Sequence, residues 1–198
     1  MVKNSAVIQA AGKGSRFHSE NYKLLFPVEG MPLIVKTLGP VLRAGFDEII
    51  VVIGCHADRM RETLQDLPVK IVENKDWEKG QSTSLSAGVR AVSGSSERAC
   101  LMLGDQPFLK PETLKALLAE SAARPGEVIV PVCRGKRGNP IVVPACHFRT
   151  LLDLTEGDTG GKRLLETVGY RSLSVDDPGI LRDIDSVRDL DKQTGCGL

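Results

Sequence analysis

The sequence has few aromatic residues, no close cysteine pairs, no excess of either charge and no long apolar run. Aromatics are 4% of its 198 residues, too few for the stacking surface of a single-strand binder. Lys and Arg number 26 against 25 Asp and Glu, for a net charge of +1. That balance gives no global attraction to nucleic acid or to an anionic membrane. The five cysteines, Cys55, Cys100, Cys133, Cys146 and Cys196, are odd in number and widely spaced. A disulfide scaffold or a zinc ribbon needs closer pairs. Reduced thiols in a cytoplasmic protein are expected instead. His18, His56 and His147 do not cluster, and the adjacency of Cys146 and His147 makes no catalytic pair. The opening stretch, MVKNSAVIQAAGKGSR, has an apolar run too short for a signal peptide. No segment approaches the roughly 18 apolar residues of a membrane span. The expectation is a soluble cytoplasmic protein with no nucleic-acid or membrane partner.

What is present is a balanced globular composition, 41% hydrophobic and 26% charged, at a length that suits one compact domain. Apolar strands alternate with helical patterns over the first two thirds. Ser5–Ala10 reads as a strand buried on both faces. Leu33–Arg43 reads as a helix stopped by Ala44-Gly45. Glu48–Ile53 is an unbroken apolar run after its first residue, as a central parallel strand requires. Asp58–Leu64 reads as a helix and Val69–Glu73 as a strand. Thr83–Val92 reads as a helix with Ser82 as a possible N-cap. Ala99–Leu103 is a further strand, and Lys110–Ala123 a helix begun by Pro111. This alternation predicts a doubly wound α/β sheet. After Pro125-Gly126 the pattern loosens. Glu127–Val132 and Pro140–Val143 read as strands, and Cys146–Leu154 and Gly160–Val168 as helices. Tyr170–Val175 and Leu181–Ile184 read as edge strands, and Val187–Asp191 as a last helical turn. The parsimonious organisation is one domain over 1–198, with a nucleotide-binding part over 1–125 and an acceptor-binding part over 126–198.

Two segments carry chemistry. The first follows the first strand: Ala10-Ala11-Gly12-Lys13-Gly14-Ser15-Arg16, with Lys23 beyond it. A glycine-rich turn at that place presents backbone N–H groups to phosphates. Three cations on such a loop suit a triphosphate. It is neither a dinucleotide fingerprint, since Phe17 stands where the third glycine would be, nor a Walker A loop. A glycine-rich turn with solvated charges is the alternative reading. The second segment is Gly104-Asp105-Gln106-Pro107, after the strand ACLML. A carboxylate just past a central strand lies where open α/β sheets bind ligands, and facing a triphosphate it is a natural Mg²⁺ ligand. Asp183 and Asp185 would face one side if Leu181–Ile184 is extended, which makes Asp185 a second metal candidate. Otherwise Asp105 is a turn or capping residue, and Asp185 an N-cap. Trp77 reads as a packing anchor.

In order along the chain, VIQAAGKGSRF with Lys23, Asn74–Ser84 (NKDWEKGQSTS), Gly104–Pro107 (GDQP), Arg137–Pro140 (RGNP), Glu156–Gly160 (EGDTG) and Asp183–Asp185 (DID) resemble the molybdenum cofactor cytidylyltransferases. That family is a branch of the small nucleotidyltransferases. The double alanine at Ala10 and Ala11 is like the cytidylyl branch, whereas the guanylyl branch tends to have glycine second. Three features depart from the pattern: the glycine usual soon after the signature Arg is missing, with Phe17-His18 there instead, Lys23 lies seven positions beyond Arg16 rather than about four, and Gln9 stands where an apolar residue is usual. The resemblance implies a single-domain, Rossmann-like fold of GT-A type, a mainly parallel sheet with helices on both faces. It implies Mg²⁺-dependent transfer of a cytidylyl group from CTP to molybdopterin, with release of pyrophosphate, and a possible molybdenum hydroxylase apo-enzyme as partner. By the same resemblance, Arg16, Lys23 and Asp105 are the catalytic candidates, and Asp105 and Asp185 hold the metal. Ala10, Ala11, Gly12, Lys13, Gly14, Ser15, Gln81, Ser82 and Ser84 border the nucleotide. Arg137, Asn139, Asp158 and Lys162 face the acceptor. A phosphate nucleophile is already ionised near neutrality, so no general base is needed, in keeping with the lack of a Ser-His-Asp or Cys-His set. The alternatives are guanylyl, uridylyl or cytidylyl transfer to another small phosphate, such as a sugar or alcohol phosphate, and a non-catalytic carrier of a nucleotide-bearing cofactor.

Overall fold

β1 (Asn4–Ala10), apolar at Ala6, Val7, Ile8 and Ala10, lies at the centre of the sheet. It pairs in parallel with β4 (Glu48–Ile53) on one side and with β6 (Arg98–Leu103) on the other. The computed structural model describes residues 3–14, 17, 22–154, 160–186 and 189. Between β1 and β4 lie a short hairpin, β2 (Pro27–Val28) with β3 (Met31–Pro32), and helix α1 (Leu33–Arg43). Helix α2 (Ala57–Leu64) leads from β4 to β5 (Lys70–Glu73), and α3 (Gln81–Arg90) leads back to β6. Helix α4 (Pro111–Ala123) follows, with its proline in the first turn as read from the sequence.

The remaining strands are β7 (Ile129–Cys133), β8 (Lys136–Arg137), β9 (Ile141–Pro144) and β10 (Arg171–Ser174). They join the same sheet, whose order is β10-β7-β9-β6-β1-β4-β5, with β8 paired to β7. Along that order only β9 runs against its neighbours, pairing antiparallel with β6 and β7. Helices α5 (Phe148–Leu154) and α6 (Gly160–Val168) pack beside each other.

Alternation along β1 divides the core. Ala6, Ile8 and Ala10 pack with Leu33, Leu38 and Leu114 of α1 and α4. Val7 and Ala11 pack with Leu85 and Val89 of α3, Leu151 of α5 and Leu164 of α6. Both faces are therefore covered, as a largely parallel sheet demands. Gly88 lets α3 sit close, because a Cβ there would lie 2.3 Å from Val7 Cγ1. The chain winds from β1 out to β5, then returns to β6 on the other side of β1. That reversal is the switch point at which ligands bind in open α/β sheets. It brings the glycine loop after β1 and the turn Gly104–Pro107 after β6 to one end of the sheet.

Most elements agree with the sequence reading to within one or two residues. Three differ. Ser82 does not cap α3, because the helix starts at Gln81 and Gly80, with φ 121°, precedes it. Leu181–Ile184 forms no strand. Pro178–Leu181 is a 3₁₀ turn, and the stretch beyond it is tied to the site by one backbone bond, Ile184 N–H to Asp105 O at 3.0 Å, and through the side chains of Asp183 and Asp185. The two-residue strands β2, β3 and β8 are too short to carry a periodicity. The helical turn expected over 187–191 falls, apart from Asp189, outside the described residues, as do Ser15, Arg16, Asp158 and Cys196. Cys55, Cys100, Cys133 and Cys146 are free thiols. Among the described residues no helix is long and apolar enough to cross a membrane.

Candidate active site

The glycine loop leaves β1 with Ala10 and Ala11 fully buried and Gly12 and Lys13 exposed. Gly14 has φ +65°, and a Cβ there would sit 2.8 Å from Lys23 Cβ. Glycine is thus required twice over, for the backbone conformation and for the close approach of Lys23. Tyr22 pins the loop from below. Its hydroxyl donates to Gly12 O at 2.8 Å and lies 3.2 Å from Ala10 O. Burial pushes the Tyr22 phenol well above its ordinary range, with Cys55 and Asp105 adding to the shift. The ring rests against His56, centroids 4.7 Å apart, and His56 adopts a left-handed φ of 58°.

Lys23 is 8% exposed. Its ammonium donates to Asp105 Oδ2 at 2.6 Å and to Asp185 Oδ1 at 3.5 Å. Residues far apart in sequence are thus joined as the two acidic motifs suggested, but through a lysine rather than directly. Behind them, buried Gln106 donates to Asp183 Oδ1 at 2.6 Å. Asp183 is held above the usual carboxylate range, first by desolvation and then by the negative charge of Asp105. The second carboxylate oxygen of Asp105, Oδ1, is buried without a hydrogen-bond partner. An orphaned hard oxygen beside a second carboxylate fits a divalent cation such as Mg²⁺. Among the described residues no three His, Cys, Asp or Glu side chains form a metal cage. A metal held by two carboxylates needs further oxygens from phosphates or water, which is how Mg²⁺ is usually held.

A cavity of about 750 Å³ opens on the α3 side of the sheet. It brings together Gln81 and Ser82 from the start of α3 with Arg137, Asn139 and Lys162 from the C-terminal third. Asn74 fixes the first pair. Its side-chain amide donates to Thr83 Oγ1 at 2.8 Å and Ser84 Oγ at 3.0 Å, tying the end of β5 to α3. Ser84 is therefore buried against Asn74 and does not line the cavity. Gly138 fixes the second group, because a Cβ there would lie 2.3 Å from Ile180 O, to which Asn139 N–H donates at 2.9 Å. Buried Asp177 braces that 3₁₀ turn, accepting from Gly179 N–H, Lys110 N–H and Thr113 Oγ1. Arg137 lies over the ring of Tyr170, 5.2 Å from its centroid. Trp77 packs against both apolar layers, as an anchor.

Sequence reasoning missed Tyr22, which sits in the lengthened loop where no motif applied. It also missed Asp177 and Tyr170, whose roles depend on contacts across the fold.

The same elements are matched by the family model described as a MobA-like NTP transferase domain, over residues 6–174, from β1 to the end of β10. The chain belongs to the MobA-like NTP transferase family. It carries the nucleotidyltransferase domain of that family, with its mainly parallel α/β fold. Rv0371c of Mycobacterium tuberculosis superposes with a TM-score of 0.84 at 27% identity, covering 97% of each chain. A nucleotidyl transferase from Methanothermobacter superposes at 0.80 with 30% identity, covering 96% of this chain and 95% of that one. Rv0371c has also been solved as a complex with manganese. A CMP-KDO synthetase complexed with CTP shares the fold, with a TM-score of 0.78 at 15% identity over 96% of each chain. Curated relatives include the bifunctional protein GlmU of an Exiguobacterium species, 34% identical over 125 residues. The MobA-like chain spans about a quarter of the length of these curated relatives.

Proposed function

We propose that this MobA-like enzyme transfers a cytidylyl group from CTP to the phosphate of molybdopterin, releasing pyrophosphate, with a molybdenum hydroxylase apo-enzyme as a partner for the product. The observation that carries the reading is the Lys23–Asp105–Asp185 cluster at the switch point, next to a cavity that joins Gln81 and Ser82 to Arg137, Asn139 and Lys162. An oxygen of the acceptor phosphate attacks the α-phosphorus of CTP. The bond from that phosphorus to the bridging oxygen of the β-phosphate breaks, and pyrophosphate leaves with the electron pair. The reaction needs positioning and neutralised charge rather than a strong base. Gly12, Gly14 and Lys13 cradle the leaving phosphates, together with Ser15 and Arg16. Lys23 meets the α-phosphate as its charge rises. Asp105 and Asp185 would hold Mg²⁺, whose contribution when bound is to neutralise phosphate oxygens. Ala10, Ala11, Gln81 and Ser82 border the nucleoside, with Ser84 held behind them by Asn74, and Arg137, Asn139, Asp158 and Lys162 border the acceptor.

The test is pyrophosphate release with CTP, GTP, ATP and UTP crossed with molybdopterin and with sugar and alcohol phosphates. CTP with molybdopterin is expected to give the highest turnover. A clear preference for another base or a simpler acceptor overturns the substrate assignment. Asp105→Ala is expected to lose at least about 10²-fold in kcat. Retention of most activity removes the metal role.

A further inference from the structure

Gln9 breaks the pattern of the strand that carries it. β1 is central, with Gln9 opposite Val52 on one side and Leu103 on the other. The residues that share its face, Val7 and Ala11, are buried in the apolar layer with Leu85, Leu101 and Ile141. An apolar side chain is what that layer calls for. Instead, Gln9 Oε1 is buried with no hydrogen-bond partner. Buried acceptors are nearly always paired, and an unpaired one lowers stability. Departures from local consistency that cost stability are expected at functional positions.

Gln9 lines the cavity of about 750 Å³. Lys13, Lys23 and Asp105 lie outside that lining, whereas Arg137, Asn139 and Lys162 are part of it. The chamber therefore runs from the start of α3, where Gln81 and Ser82 border the nucleoside, toward the C-terminal third, and does not extend over the phosphate loop. Leu85, Leu101, Leu103 and Ile141 contribute apolar surface, and Arg137 and Lys162 contribute charge. Its volume is in the range of small-molecule sites, roughly 300–1,000 Å³, and far exceeds what a bare phosphate needs.

We infer that Gln9 is the specificity residue of the acceptor chamber. Its side-chain amide turns so that the buried carbonyl faces the chamber and accepts a hydrogen bond from an N–H or O–H donor on the body of a phosphorylated acceptor. The apolar face of that body lies on the leucine surface, and its anionic groups meet Arg137 and Lys162. The inference rests on the proposed acceptor half of the reaction and names the residue that selects the acceptor.

Gln9→Met and Gln9→Leu remove the carbonyl and keep an apolar side chain of similar size. Three measurements decide the matter: unfolding temperature without ligand, its rise with molybdopterin alone under anaerobic conditions, and KM for CTP and for molybdopterin. Both variants are expected to unfold at or above the wild-type temperature. Molybdopterin is expected to stabilise the wild type, and to need about ten-fold higher concentration for the same rise in the variants, equivalent to about 1.4 kcal/mol. KM for CTP is expected to stay within two-fold. Equal stabilisation of wild type and variants, a shift in CTP KM instead, or no stabilisation of the wild type overturns the inference. So does a lowered unfolding temperature in both variants, which would make Gln9 a structural residue. The ligand-induced rise requires no turnover. An enzyme that binds molybdopterin through Gln9 yet releases no pyrophosphate from CTP would refute the proposed reaction and leave the Gln9 contact standing.

Discussion

Replacing Tyr22 with Phe removes one buried hydroxyl and keeps the ring against His56. The hydroxyl proton serves Gly12 O at 2.8 Å, with Ala10 O at 3.2 Å as a weaker second contact. One good hydrogen bond is worth about 1 kcal/mol net, and a buried carbonyl left unpaired adds to the loss. The expected destabilisation is about 1.5 kcal/mol, or roughly 3–6 °C in Tm for a chain of this length. The two carbonyls belong to the turn that presents Lys13 and Gly14. A loosened turn should raise KM for the nucleotide and lower kcat together. A pH series isolates the phenol. The folded pKa of Tyr22 lies above the unfolded value of about 10. Its contribution is therefore complete below about pH 10 and is lost as the pH rises toward the folded value. Wild-type stability should fall more steeply than that of Tyr22→Phe in that range, by up to about 1.4 kcal/mol per pH unit. Tyr170, the other tyrosine, is exposed and present in both proteins, so it cancels in the difference. Chemical denaturation at pH 8 to 11 measures both effects. Equal slopes with an unchanged Tm would refute the claim that the phenol holds the loop.

Two further changes probe the separate halves of the site. Lys23→Ala removes the cation between Asp105 and Asp185. Steady-state kinetics should show a loss of about 10³ in kcat with a smaller change in nucleotide affinity, and an effect on affinity alone would reassign Lys23 to ground-state binding. Asp177→Ala leaves Lys110 N–H, Gly179 N–H and the Thr113 hydroxyl without their acceptor. Denaturant melts should show a loss of about 3 kcal/mol, and KM should rise for the acceptor rather than for CTP, because the turn it braces carries Ile180 and so holds Asn139.

The parts of the fold that were legible are those whose signal is local. β4 and β6 are buried on both faces, so after their first residues their apolar runs are unbroken and cannot be mistaken for amphipathic helices of the same length; β1 shows the same pattern apart from Gln9 and its first two residues. Pro111 marks the start of α4 because proline at that position loses no hydrogen bond. Asp105 was legible from its place after a central strand, a consequence of topology rather than of composition. What stayed hidden depends on contacts between distant segments. Ser82 looks like a cap because serine before an apolar-periodic run usually is one. Here Gly80, with φ 121°, makes the turn, and the Asn74 amide satisfies the Thr83 and Ser84 hydroxyls. Asp183 meets Gln106 and Asp185 meets Lys23, on either side of buried Ile184, in a stretch that has no ladder partner. One backbone bond to Asp105, the burial of Ile184 and the side-chain bonds of Asp183 and Asp185 hold it in place.

The near-zero net charge also reads differently once the contacts are known. A neutral total would be uninformative if charges were spread evenly. Here an almost fully buried lysine bridges two carboxylates, with a third beside them on Gln106. Burying one ammonium with one carboxylate offsets part of the desolvation cost of each. The unpaired Asp105 Oδ1 is then an oxygen available to a cation. The exposed Lys13 is a standing demand for an anion. The metal–triphosphate proposed above would meet both at once, so a near-zero total charge is compatible with a locally charged site.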